Sequence, residues 1–135
     1  MKVNFKILVA GLLMVLLLSA CGAKSKGVSY TLKTNIQDGN MVIIGVGGDI
    51  DGQVSPTLTA KVGDTVNITL TSGDGVEHDI SFPDFNATSA RLNGQGSSVM
   101  LSFVADKSGT FTYSCTVPGH ADAGMKGTFE VAPAQ

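Results

Sequence analysis

Apolar and polar residues alternate with period two along much of the chain beyond residue 28. Leu58, Ala60 and Val62 alternate with Thr57, Thr59 and Lys61, and Val66, Ile68 and Leu70 with Thr65, Asn67 and Thr69. Phe111, Tyr113 and Cys115 share one face of a third run, with Thr110, Thr112 and Ser114 on the other. Successive side chains of a strand point to opposite faces, so this period is that of a half-buried strand. Period and residue type together predict strands over Ser29–Thr34, Met41–Val46, Thr57–Lys61, Thr65–Thr71, Glu77–Phe82, Val99–Val104, Thr110–Cys115 and Thr128–Val131. Turn signals such as Val62-Gly63-Asp64, Ser72-Gly73-Asp74-Gly75 and Lys107-Ser108-Gly109 separate them. The segment from Pro83 to Ser98 carries the least pattern and predicts a long loop or a crossing connection. Helix signals are nearly absent, and no internal repeat occurs. Many short strands parted by Gly-rich turns predict an all-β fold, a Greek-key antiparallel β-sandwich.

The first twenty residues follow another rule. Lys2 and Lys6 make a short positive region, and Ile7 to Leu18 is apolar apart from Gly11. That length is short for a membrane span and suits the core of a signal peptide. Leu18-Ser19-Ala20-Cys21 closes the stretch and resembles a bacterial lipobox, in which the cysteine thiol is acylated and becomes the new N-terminus. An unmodified thiol just past a cleavage site would be a liability in an oxidising compartment. A diacylglyceryl group carries two chains, enough for stable anchoring. The expected organisation is therefore a lipoprotein signal peptide over 1–20, a lipidated tether over 21–27, and one domain over 28–135. Seven tether residues span at most roughly 25 Å, which keeps the domain near the bilayer of a bacterial membrane, on its extracytoplasmic side.

Charge and cysteine count narrow the function. Taking Lys2 and Lys6 from the nine Lys and Arg leaves seven against eleven Asp and Glu, a net charge of about −4. No basic stripe is present, which excludes nucleic acid as the expected partner. With Cys21 assigned to lipid, Cys115 has no second cysteine to pair with, so no internal disulfide staples the domain.

Chemistry concentrates near the C-terminus, in Cys115-Thr116-Val117-Pro118-Gly119-His120-Ala121-Asp122-Ala123-Gly124-Met125. The chain has two histidines, and the other is His78, in a separate strand run between Glu77 and Asp79. A thiolate, two imidazoles and a thioether are the donor set of a blue-copper electron-transfer site. The alternation turns the Cys115 sulfur toward the core edge. Pro118-Gly119 is a turn that can bring His120 back toward it, and the small residues after His120 let the loop deliver Met125. Ligands from distant parts of the chain would let the folded frame impose the metal geometry.

Each of these residues has a plainer reading when taken alone. A histidine in a strand is commonly structural, a buried methionine is ordinary core, and a buried lone cysteine is usually inert. Their combination favours copper. Zinc accepts Cys and His, but a thioether serves it poorly and would leave Met125 without a role. A Cys–His hydrolase would place its thiol at an activating helix terminus, whereas this thiol closes a strand. A copper oxidase or nitrite reductase needs a further metal site, and the chain has no other histidines to build one. No small-molecule substrate is expected. Asn67-Ile68-Thr69 and Asn86-Ala87-Thr88 match a glycosylation sequon but carry little weight in a bacterial lipoprotein, and Asp49-x-Asp51-Gly52 has too few ligands for a calcium loop.

Residues 41–131 resemble a cupredoxin, the type 1 blue copper protein family. Cys-Thr-Val-Pro-Gly-His and Gly-Met-Lys-Gly are the most specific part. The Cys-x4-His-x4-Met spacing is similar to that of rusticyanin; plastocyanin has a shorter Cys–His gap and azurin a shorter His–Met gap. The stretch from Gly45 to Asp79 also resembles the cupredoxin domains of copper nitrite reductases. The resemblance implies one copper ion with His78, Cys115 and His120 as strong trigonal ligands and Met125 as the weak axial one. It implies that the His120 ring edge is exposed within an apolar patch formed by Pro118, Gly119, Ala121, Ala123 and Gly124, where electrons leave. One position departs from the pattern. Many cupredoxins carry asparagine after the first histidine, where this chain has Asp79, so the hydrogen bond that tethers the ligand loop is expected to be missing or made differently. The expected function is a lipid-anchored electron carrier passing one electron between membrane-associated redox proteins, such as a cytochrome or a copper or haem oxidoreductase. Copper sequestration or delivery is the alternative. The scarcity of other Met and His residues favours the carrier.

Overall fold

The computed structural model describes residues 26–135. The expected signal peptide, the expected lipidation at Cys21 and the expected tether as far as residue 25 lie outside the described residues. Nine strands follow: β1 Gly27–Gln37, β2 Asn40–Val46, β3 Leu58–Lys61, β4 Thr65–Ser72, β5 Ser81–Phe82, β6 Ala87–Thr88, β7 Ser98–Val104, β8 Gly109–Ser114 and β9 Lys126–Ala132. They form two sheets, one ordered β2-β1-β4-β7 and the other β3-β9-β8-β5-β6. The all-β sandwich expected from the alternation is what the chain forms.

The pairings show how one sheet is laid over the other. β1 and β2 make an antiparallel hairpin around Asp38-Gly39, both at positive φ, as a two-residue hairpin turn of this hand requires. The chain then crosses to the second sheet for β3 and returns for β4, so β4 lies parallel to β1. A second crossing makes β3 parallel to β9. The remaining ladders, β4–β7, β5–β6, β5–β8 and β8–β9, are antiparallel.

The core lies between the sheets and follows the sequence pattern closely. Along β4, Val66, Ile68, Leu70 and Ser72 are buried while Thr65, Asn67, Thr69 and Thr71 are only partly so. Leu32 and Ile43 join them from the first sheet; Leu58, Ala60, Phe82, Tyr113, Phe129 and Val131 face them from the second. Phe82 stands at the centre of an aromatic cluster, with ring centroids 4.8 Å from Phe103, 5.3 Å from Phe129 and 5.5 Å from Tyr113. Offset and edge contacts of this kind add to what burial alone contributes. The Tyr113 hydroxyl donates to the Pro56 carbonyl at 2.7 Å, so the phenol is buried without an orphaned polar group. Gly127 lies directly across the ladder from Tyr113, and a Cβ there would overlap the phenol ring.

One predicted strand is largely absent. Within Glu77–Phe82 only Ser81 and Phe82 join a ladder, and His78 makes an isolated bridge to Leu92. Residues 78–82 are buried on both faces, because the segment after them folds back over the outer side. His78 and Leu92 exchange backbone hydrogen bonds at 2.9 and 2.8 Å, and Ser89 donates its amide to the Ile80 carbonyl at 2.9 Å. The segment expected to be a loop thus contains a 3₁₀ turn over Pro83–Phe85, strand β6 and this returning stretch. A two-sided burial erases the alternation on which a sequence reading of these residues depends.

Candidate metal centre

The C-terminal ligand loop is held closed at its base. Cys115 is the first residue after β8, and its amide donates to the Met125 carbonyl at 3.0 Å, just ahead of β9. Between them the chain turns on itself. The His120 amide donates to the Val117 carbonyl at 3.1 Å, Ala123 to Gly119 at 3.0 Å, and Met125 to His120 at 3.0 Å. Pro118 lacks a donor and favours such a turn, and the small residues 121, 123 and 124 permit its tight radius. The Tyr113 ring, pinned through Pro56, fixes β8 two residues upstream.

These turns bring three of the predicted site residues together. His78 Nδ1 lies 3.2 Å from His120 Nδ1, and Cys115 Sγ lies 3.7 Å from the same His120 nitrogen. One ligand atom from each of His78, Cys115 and His120 falls within 4.8 Å of the others. His78 is fully buried, Cys115 is 2% exposed, and His120 is half-buried, with its ring tilted 60° from that of His78. Met125 is fully buried at the far end of the loop and bonded through its backbone to both Cys115 and His120.

The remote side of His78 is also occupied. Its Nε2 lies 3.0 and 3.1 Å from the two carboxylate oxygens of Asp74, whose side chain is 4% exposed. A carboxylate only accepts, so Nε2 carries the hydrogen and Nδ1 is the nitrogen turned to the cluster. Asp74 was legible in the sequence only as part of a turn. The available signal was an aspartate bracketed by glycines, four residues before the histidine.

Asp79 answers the question raised by its departure from asparagine. Its Oδ1 accepts the Thr116 backbone N–H at 2.6 Å, and its Oδ2 accepts the Thr116 hydroxyl in a very short contact. The tether to the ligand loop is therefore made, through a carboxylate. Arg91 compensates the charge: its Nε is 3.4 Å from Asp79 Oδ2, and its Nη1 is 2.6 Å from Glu77 Oε1. The Glu77 hydrogen bond is the main reason the Arg91 guanidinium is held above its ordinary range. Arg91 gave no sequence signal, since its role depends on the fold-back of the segment after residue 83, and Thr116 stood in the loop motif without a role of its own.

The electrostatics suit a cation. Burial pushes the Cys115 thiol above its ordinary range, partly offset by the backbone amides of Asp79 and Val117. Burial, then the nearby His78, holds His120 below the ordinary histidine range. Two imidazole lone pairs and a thiolate converging in a buried site repel one another unless a positive charge lies among them. A soft sulfur with two imidazole nitrogens fits copper, and also zinc, in charge and ligand type.

Comparison with known proteins resolves that choice. The family described as copper binding proteins, plastocyanin/azurin family, matches residues 30–132. A copper-containing nitrite reductase from Pseudomonas chlororaphis is 36% identical over 91 residues, covering 58% of this chain and 24% of that protein. Auracyanin-B from Chloroflexus aurantiacus is 47% identical over 51 residues, covering 38% of this chain and 21% of that protein. Among solved structures, auracyanin A from Chloroflexus aurantiacus superposes with a TM-score of 0.57 at 21% identity, covering 78% of this chain and 98% of that one. A copper nitrite reductase from Nitrosomonas europaea superposes with a TM-score of 0.58 at 26% identity, covering 80% and 42%. The chain thus spans about a quarter to a third of the length of the copper nitrite reductases it matches in sequence.

Proposed function

Because this chain belongs to the plastocyanin/azurin family of copper-binding proteins, we propose that it is a one-electron carrier. The observation that carries this reading is the convergence of His78 Nδ1, His120 Nδ1 and Cys115 Sγ in a buried cluster braced from behind by two carboxylates. In this reading His78, Cys115 and His120 would hold the copper as strong donors, and Met125 would add a weak thioether. Copper supplies the Cu(I)/Cu(II) couple; the protein supplies a frame that changes little between the two states. His78 is fixed by Asp74 and the Leu92 bridge, Cys115 by the Met125 carbonyl, and the loop between by Asp79. His120, the ligand that remains partly exposed, is the exit for the electron, amid Pro118, Gly119 and Ala121.

The chain acts as an exported lipoprotein, held at a bacterial membrane through Cys21 and exchanging electrons with membrane-associated proteins such as a cytochrome or a copper or haem oxidoreductase. It performs no catalysis alone, since its two histidines are both committed to one site. Voltammetry of the copper-loaded protein tests the reading. A carrier gives a reversible one-electron wave and keeps its copper against a chelator through repeated cycles. Loss of copper to the chelator on each reduction would instead mark a delivery protein.

A further inference from the structure

We propose that Asp74 is a positioning residue that locks the His78 tautomer and biases the site toward its oxidised state. The inference rests on the reading of His78 as a copper ligand. Asp74 is 4% exposed and aims both oxygens at His78 Nε2, at 3.0 and 3.1 Å. The turn around it is built to hold it there: its Oδ1 also accepts the Val76 amide at 3.0 Å, and the Ser72 hydroxyl accepts the Gly75 amide at 3.0 Å. Among the described residues no lysine or arginine forms an ion pair with Asp74; Arg91 is taken by Glu77 and Asp79. Apart from the Val76 amide, the carboxylate is therefore directed at the His78 imidazole, with no cation paired to it among the described residues.

Two effects follow. Holding the hydrogen on Nε2 keeps Nδ1 available as the donor and fixes the ring plane before metal arrives. A carboxylate behind the imidazole also makes it a stronger donor, which stabilises the more highly charged Cu(II) over Cu(I) and lowers the reduction potential.

Two variants and two readouts separate these effects. Asp74→Asn keeps an oxygen acceptor but removes the charge; Asp74→Ala removes both. In the metal-free protein, NMR of the wild type should show a His78 Nε2–H signal shifted downfield and protected from water, retained in D74N and lost in D74A. In the copper-loaded protein, D74N should favour Cu(I) over Cu(II) by about tenfold relative to wild type, a rise of about 59 mV for one electron. An Nε2–H in wild type that exchanges as freely as in D74A would overturn the positioning role. A potential unmoved in a folded D74N would overturn the bias. The metal-free readout stands whether or not copper binds, so failure of the carrier reading, seen as wild type that takes up no copper, is distinguishable from failure of this one.

Discussion

Asp79 grips Thr116 twice, through the backbone amide and through the hydroxyl, and so ties the strand run bearing His78 to the loop bearing Cys115 and His120. Those residues are 37 apart in sequence. A single carboxylate, itself nearly buried and balanced by Arg91, thereby adds a side-chain link between the two segments that carry the candidate donors.

Removing that carboxylate should loosen the site before it unfolds the sandwich. Hydrogen bonds to a charged group contribute about 1.5–3 kcal/mol each. Asp79→Ala removes two of them and should lower the unfolding free energy of the metal-free protein by about 3–6 kcal/mol, read from the urea midpoint at constant slope. Unchanged stability would mean that the Thr116 contacts are not maintained in solution.

Met125 is buried at the end of the loop, and its backbone already closes the base of the turn. Met125→Leu keeps that backbone and most of the side-chain volume. Copper should still bind, and loss of the thioether should raise the reduction potential, because a weak donor that favours Cu(II) has been replaced by hydrocarbon. A potential equal to that of wild type would show that Met125 is not the axial ligand.

Copper loading should depend on pH with a definite sign. The Cys115 thiol is raised by burial, so near neutral pH it is protonated in the metal-free protein, while His120, lowered by burial beside His78, is already neutral there. Each bound ion then displaces one proton from the sulfur. Apparent affinity should rise about tenfold per pH unit above pH 7, and the rise should continue past about 8.5, the ordinary thiol value. Competition titrations across that range would measure it, and a flat profile would contradict a thiol that ionises only on binding.

Gly127 and Tyr113 face each other across β8 and β9 with no room for a Cβ. Gly127→Ala should push the Tyr113 ring off its bond to Pro56 and cost about 1–3 kcal/mol, a typical overpacking penalty. Thermal unfolding would read it. Because Tyr113 lies two residues before Cys115, the same variant should also weaken copper retention; stability near wild type would show that the ring has space to move.

Much of this was legible from the residues themselves. The period-two runs around Val66 and Phe111 identified strands because each packs one face on the core, and β4 follows its pattern residue by residue. The candidate donors stood out because two histidines, one available thiol and one loop methionine are rare groups with little else to do. Residues 78–82 resisted the same reading, since burial on both faces leaves no alternation to detect. Asp74 and Arg91 resisted it for a related reason. Each acts through a contact set by the turn or the fold-back around it, and turn residues and exposed arginines carry the same local signal whether or not they brace a metal ligand. The parallel pairing of β1 with β4 was equally hidden, because strand alternation is blind to the direction of a neighbour.

One-electron transfer by this chain requires that the Cys115 thiolate and two imidazoles hold one copper that can be reduced and reoxidised in place. Visible absorption during a Cu(II) titration tests it most directly, with Cys115→Ser alongside. An intense thiolate-to-copper charge-transfer band is expected that saturates at one equivalent, bleaches on reduction, returns in full on reoxidation and is absent from the serine variant. A colourless wild-type complex, or a band that survives loss of the sulfur, would contradict it.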